Sequence, residues 1–252
     1  MSNQLDRGFK IIENLAKHGL SGIDEVYNYT KIPKPTLYKI LNNLEKLGYI
    51  LRKNIDGQKD YWYLTLKLLK IARPILSRLD FKDEIKSILI KLSKDINEIV
   101  QLGIYHNRKV MYIDVVKNSE SLISYAGIGT ELDINISAAG MVIASALPRE
   151  ELDELLNNEI FPKNTKYTIT EPDEIRKELK KIAVNGYAFD NEQYAIGIRC
   201  LAAPIFNFEG KIISAINVTG HISTMTDERI VFIKKKLLES ALEASKRIGF
   251  EG

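Results

Sequence analysis

Apolar positions recur every three or four residues at the amino end of the chain. Leu5, Phe9, Ile12, Leu15 and Ala16 predict a helix from Leu5 to His18, ended by Gly19. Ser21 stands three residues before Asp24, a capping-box-like start for a short second helix with Ile23, Val26 and Tyr27 turned inward. "TKIP" makes the next turn. Pro33 and Pro35 push Ile32 and Lys34 out of helical backbone, while Pro35 itself fits a first helical turn. Leu37, Ile40, Leu41, Leu44 and Leu47 then form one stripe down a third helix, and Gly48 ends it. Beyond it the period falls to two. "YILRK" and "YWYLTL" read as strands around the turn "NIDGQKD", which carries Asp56-Gly57.

Three short helices followed by a hairpin form a winged helix-turn-helix pattern. The next segment, "LLKIARPILSRL", is interrupted at Pro74. After it, Ile85, Ile88, Leu89, Leu92, Ile96 and Ile99 make an amphipathic helix. Two readings fit that helix: a link between domains that pairs with its own copy, or a core helix of the second domain. From Ile99 onward strands and helices alternate. "IVQLGIY" and "KVMYIDVV" flank "HNR" as a hairpin, and "SLISYA" is a further strand. "SAAGMVIASAL" is a helix of small residues able to pack closely. Pro148 opens another, through Leu156. Thr170 and Asp173 cap one that stops at Gly186. "IRCLAAPIF" and "KIISAINVTG" form a hairpin through "NFEG", and Thr226 caps a last helix to Ile248. A mostly antiparallel sheet covered by helices is an α+β fold. The expected organisation is residues 1–70 as a winged helix-turn-helix, 71–98 as linker helices and 99–252 as a second domain.

The 252 residues are 45% apolar and 27% charged, enough to bury cores in two domains. No apolar run approaches the roughly 18 residues of a membrane span. The amino end has no apolar signal region, and the single Cys200 cannot form an internal disulfide, so a reducing cytoplasm is the expected home. Net charge is only +3, but it is uneven. Residues 1–70 hold twelve Lys/Arg against seven Asp/Glu, and residues 31–53 hold six bases against Glu45 alone. A basic end on a near-neutral body points to a polyanionic partner, although a solvated charged face gives the same count.

The exposed face of the third helix would carry Lys34, Thr36, Tyr38, Lys39, Asn42 and Asn43. A major groove about 12 Å wide admits such a helix. The two lysines can neutralise phosphate or donate to guanine, and an Asn can pair with adenine. The hairpin adds Arg52, Lys53, Gln58 and Lys59 for the backbone or minor groove. Winged helices can also bind protein. In the second half, strand alternation puts Asn217 and Thr219 on one face and Ile216 and Val218 on the other. Two polar side chains on one face of an apolar strand need a ligand, each other or water. Cys200 and Ala202 likewise share a face. A lone strand cysteine is also what a small buried hydrophobe looks like. His18, His106 and His221 are scattered, without metal-ligand spacing. "GIGT" is too short for a nucleotide fingerprint. No Ser/His/Asp set or phosphate loop appears, and neither enzyme activity nor a cofactor is expected.

The chain resembles the IclR family of transcription regulators. The carrying stretches are "LDRGFKIIENLAKHGLSGIDEV" with "IPKPTLYKILNNLEKLGYILRK" at the front, and "NGYAFDNEQYAIGIRCLAAPIFNFEGKIISAINVTG" at the back. The resemblance implies a one-component switch, a repressor in family habit, with a GAF-like domain for a small, often carboxylate-bearing metabolite. It implies a homodimer or dimer of dimers on double-stranded operator DNA. Carried over by position, the effector site would involve Asp190, Cys200, Asn217 and Thr219 with a loop near Gly129, Thr130 and Leu132. The family often has Ser at the Asn217 and Thr219 positions, and a Pro-His-like pair where this chain has "DIN", residues 133–135. Asp133 in that loop would disfavour a nearby carboxylate unless backbone donors offset it. A DNA-binding regulator or architectural protein with no small-molecule effector is the alternative.

Overall fold

The structure is a computed structural model and describes residues 4–55, 59–71, 80–117 and 126–251. Contacts divide the chain into two compact units, Met1–Leu79 and Asp80–Gly252. The expected strand "SLISYA" and the hairpin tip with Asp56-Gly57 and Gln58 fall outside the described residues, apart from Ala126. So does the interruption at Pro74.

In the first unit, helices α1 (Gln4–His18), α2 (Ile23–Thr30) and α3 (Lys34–Lys46) pack on a small antiparallel sheet. Its strands β1 (Ser21–Gly22), β2 (Ile50–Ile55) and β3 (Lys59–Leu64) run in the order β1-β3-β2. Ile11, Leu15, Val26, Leu37, Ile40, Leu41, Ile50 and Trp62 form the core. Trp62 is fully buried. Four inward assignments fail. Leu5, Phe9 and Leu47 are more than half exposed; α1 buries the neighbouring face of Ile11, Asn14 and Leu15, and Leu47 lies at the end of α3. Tyr27 also faces out. The start of α2 is one residue later than the sequence pattern places it. Ser21 is committed to pairing with Trp62, so Gly22 takes the cap position and its N–H donates to Glu25 Oε2 at 2.7 Å.

The second unit is built on a six-stranded antiparallel sheet. Its strands are β4 (Ile99–His106), β5 (Lys109–Val116), β6 (Glu131–Asp133), β7 (Ala188–Asn191), β8 (Ile198–Phe206) and β9 (Ile212–His221). They lie in the order β6-β5-β4-β9-β8-β7. The β4–β5 hairpin turns on Asn107 and Arg108, both left-handed, with φ of 49° and 65°. On one sheet face lie α4 (Asp80–Ile96) and α8 (Asp227–Arg247), which also pack on each other. The α4 stripe of Ile85, Ile88, Leu89, Leu92 and Ile96 is fully buried. This helix is therefore a core helix of its unit. Arg229 ties the layer together, donating to Ile96 O at 2.6 Å and pairing with buried Glu98.

The other face carries α5 (Ala138–Ala144), with α6 (Arg149–Asn158) and α7 (Pro172–Asn185) outside it. All seven residues of α5 are buried. Ser137 caps it, accepting from Gly140 N at 3.2 Å. Thr170 does not cap α7; Glu171 holds the cap position without a side-chain bond, ahead of Pro172. Small residues let α5 sit against the turn before it. A Cβ on Gly140 would lie 2.8 Å from the Ile134 Cα. That neighbour is backbone and cannot swing aside.

Gly140→Ala is expected to destabilise the protein by about 1–3 kcal/mol, as overpacking does. Gly8→Ala, in the middle of α1 with open space around it, should stabilise by about 0.5–1 kcal/mol. Urea denaturation of both variants checks the pair.

Candidate nucleic-acid interface and effector site

Pro33 precedes α3 in extended backbone and Pro35 lies in its first turn; Lys34, expected outside helical backbone, is instead the first residue of the helix. Its buried stripe turns the opposite side outward. Lys34, Tyr38, Lys39, Asn42 and Asn43 are exposed and Thr36 is half-buried. The structure splits this set. Tyr38 and Asn42 face the hairpin. Asn43 instead lines an apolar groove of about 380 Å³ between α1 and α3, together with Leu5, Phe9 and Leu47.

The hairpin side is organised by Arg52. Its Nη2 donates to Asn42 Oδ1 at 2.9 Å and Glu45 Oε2 at 2.8 Å, and its Nη1 reaches Asp60 at 3.4 Å. Glu45 is the main reason its guanidinium is held above its ordinary pKa. The guanidinium also lies 5.8 Å from the Trp62 ring, on which Tyr38 stands edge-on at 6.1 Å. Arg52 is thus a clamp between α3 and β2 with its charge matched. Lys34 is similarly engaged: its Nζ is 2.5 Å from Asp24, and that bond with its charge holds the exposed Asp24 carboxyl below the usual range. Lys39, Lys53 and Lys59 are exposed and carry no ion pair among the described residues. With Lys31 and Lys46, also exposed and without an ion pair among the described residues, they are positive groups available to a polyanion.

In the second unit the register brings the polar strand residues together. Asp190 stands opposite Cys200, Cys200 opposite Thr219, and Asn217 between Ala202 and Gln101. All lie on the α5 face of the sheet and all are buried, with Asp190 3% and Asn217 1% exposed. A chain of hydrogen bonds fixes their orientation. Gln101 Nε2 donates to Ala126 O at 2.7 Å, so its Oε1 is the acceptor. That oxygen accepts from Asn217 Nδ2 at 2.8 Å and from Thr219 Oγ1 at 2.7 Å. Asn217 Nδ2 also donates to Thr219 Oγ1 at 2.9 Å, and the Cys200 thiol lies 3.4 Å from that hydroxyl. Beside them the buried Tyr112 hydroxyl meets Ser137 Oγ at 3.1 Å.

Two acceptor atoms are left over. Asn217 Oδ1 and Asp190 Oδ2 have no partner among the described residues. Asp190 Oδ1 accepts from Gln193 N at 2.6 Å. Burial pushes the Asp190 carboxyl up to about 6. Burial above all, with the Asp190 charge beside it, also raises the Cys200 thiol far beyond its ordinary range. A thiol held protonated is no nucleophile.

Sequence reasoning missed Gln101, Tyr112 and Ser137. Gln101 carries the signal that picked out Asn217, a lone amide within the apolar strand "IVQLGIY". The loop before β6 lies along β5, where Gly129 N donates to Tyr112 O at 2.8 Å and Tyr112 N to Thr130 O at 3.1 Å. Leu132 packs on the core beside them. Asp133, expected to disfavour a nearby carboxylate, pairs with Lys109, 3.0 Å away at the sheet edge. Asn135 is buried and staples the following segment, donating to Pro162 O and Ile169 O at 2.9 Å each.

Among the described residues no group of side chains could hold a metal ion, and no helix is long and apolar enough to cross a membrane. Two family profiles match the chain: the IclR helix-turn-helix domain over residues 4–53 and the bacterial transcriptional regulator IclR C-terminal domain over residues 74–246. The transcriptional repressor IclR of Escherichia coli K12 is 25% identical over 97% of this chain and 89% of its own length. The crystal structure of Thermotoga maritima IclR superposes with a TM-score of 0.81 at 30% identity, covering 98% of this chain and 99% of that one. An IclR homologue from Microbacterium hydrocarbonoxydans, solved with 4-hydroxybenzoate, shares the fold at 18% identity with a TM-score of 0.81 over 98% and 99%. These relatives are regulators of transcription, not enzymes. The chain belongs to the IclR family of transcriptional regulators, with a helix-turn-helix DNA-binding domain at its amino end and an effector-binding domain at its carboxyl end.

Proposed function

We propose that this regulator reads operator DNA with the hairpin-facing side of α3 and senses a small metabolite at the buried cluster of Gln101, Asp190, Cys200, Asn217 and Thr219. The observation that carries this reading is a division of labour. One unit presents an exposed helix face with almost no acid, and the other buries polar side chains where an apolar core would be more stable. Tyr38, Lys39 and Asn42 enter the groove. Lys53 and Lys59 meet phosphates from the hairpin, and Arg52 holds the hairpin against α3. The protein works as a homodimer or a dimer of dimers, since a reader of this kind gains from a two-fold partner on a symmetric site. Repression is the sign we assign, in line with relatives named as repressors. An effector acts by binding one arrangement of the two reading helices better than the other.

Lys39→Ala should lower the slope of log affinity against log salt for a short random-sequence duplex by about one unit. Lys34→Ala should change it less, because Asp24 already offsets that charge. Fluorescence anisotropy over a salt series reads both, and an unchanged slope in Lys39→Ala refutes the groove assignment. In the same assay Asn217→Ala should bind duplex as the parent does.

Asp190 gives a pH prediction. Its folded carboxyl titrates near 6 against an ordinary 3.8. The folded state therefore binds the proton more tightly, and stability falls as pH rises from about 4 to about 6, then stays at the lower value. Glu192, Cys200, Tyr112 and Tyr194 are the titratable groups around it. Asp190→Asn should gain on the parent across that window. Urea midpoints for both proteins at acid and neutral pH check it, and a constant difference contradicts it.

A further inference from the structure

Resting on the effector reading above, we infer that the ligand of the buried cluster is a small uncharged or cationic molecule that donates hydrogen bonds, a polyol or an amino alcohol, and not a carboxylate. The hydrogen-bond chain sets how the two amides are turned. Gln101 must present Oε1 inward, because its Nε2 is committed to Ala126 O. Asn217 then turns its amide nitrogen toward Gln101 Oε1 and Thr219 Oγ1, which leaves Oδ1 as an acceptor on the other side. Flipping that amide would set two oxygens against each other. The Thr219 hydroxyl proton is likewise used on Gln101. The cluster therefore offers Asn217 Oδ1 and Asp190 Oδ2, both accepting and both without a partner among the described residues.

The charge argues in the same direction. The cluster of Gln101, Tyr112, Ser137, Asp190, Cys200, Asn217 and Thr219 contains one carboxylate and no Lys or Arg. An anionic ligand would be desolvated beside Asp190 with no cation to balance it. A hydroxyl or ammonium group gives each leftover oxygen a donor and removes the desolvation cost those atoms carry. The Cys200 thiol lies between them, opposite Asp190 on one strand and Thr219 on the other.

The test is thermal melting of the full chain with glycerol, erythritol, xylitol and ethanolamine, against acetate, pyruvate and 4-hydroxybenzoate. Each is titrated through the millimolar range into the parent, Asn217→Ser and Asp190→Asn. The expected result is a saturable rise of several degrees with a hydroxyl or amino compound. The rise should be lost or cut at least tenfold in apparent affinity in both variants. Asn217→Ser keeps a small polar side chain in case a larger change disturbs folding. Polyols against ethanolamine separate neutral from cationic donors. Stabilisation by a carboxylate alone overturns this inference and leaves the sensor reading standing. No saturable shift with any compound overturns both.

Discussion

A buried polar atom must find a partner, and this constraint shapes the carboxyl-terminal unit. Gln101, Asn217 and Thr219 belong to neighbouring strands in an otherwise apolar sheet face. Each is oriented by the next, starting from one backbone carbonyl at Ala126. Such a chain fixes the register of β4 against β9, because a slip of one residue would turn these side chains to the opposite face. It also makes the site specific. Two acceptors, Asn217 Oδ1 and Asp190 Oδ2, remain without a partner among the described residues, and the proposed ligand is read from them. The sealing helix α5 contributes by closeness, since Gly140 lets it sit on the Ile134–Ile136 turn.

The amino-terminal unit solves a different problem with the same economy. A reading helix must be held rigidly yet keep its outer face free. Trp62 fills the core beneath, and Arg52 braces β2 against α3 through Asn42 and Glu45. The brace consumes charge. Arg52 and Lys34 are each offset by acids, so the attraction for phosphate falls to unpaired lysines such as Lys39, Lys53 and Lys59. Counting bases along the sequence overstates the field that a duplex meets.

Much of this was legible in the sequence. Periodicity marked α3, α4 and α8, and the β8–β9 hairpin, because each has a strong apolar stripe or run with clear stops. The pairing of Asn217 and Thr219 followed from alternation alone. What was not legible came from competition between neighbours. Ser21 could cap a helix or join a strand, and only Trp62 across the sheet decides. Leu5, Phe9 and Leu47 satisfy a helical period yet lie on the rim of a groove. The pairing of Asp133 with Lys109 is non-local, so its charge looked unbalanced in the sequence. Gln101 carried the right signal more than a hundred residues from its partners, and nothing in one sequence joins them.

Coupling between the two units requires an effector to bind one state better than another, and the leftover acceptors are where that preference would be written. The most direct measurement is a high-resolution crystal structure of the full chain, examined at Asn217 Oδ1 and Asp190 Oδ2. The account predicts ordered water or a small molecule within hydrogen-bond distance of each, with the Gln101 amide donating to Ala126. It would be contradicted if both oxygens were turned onto protein donors and the cluster were closed on itself.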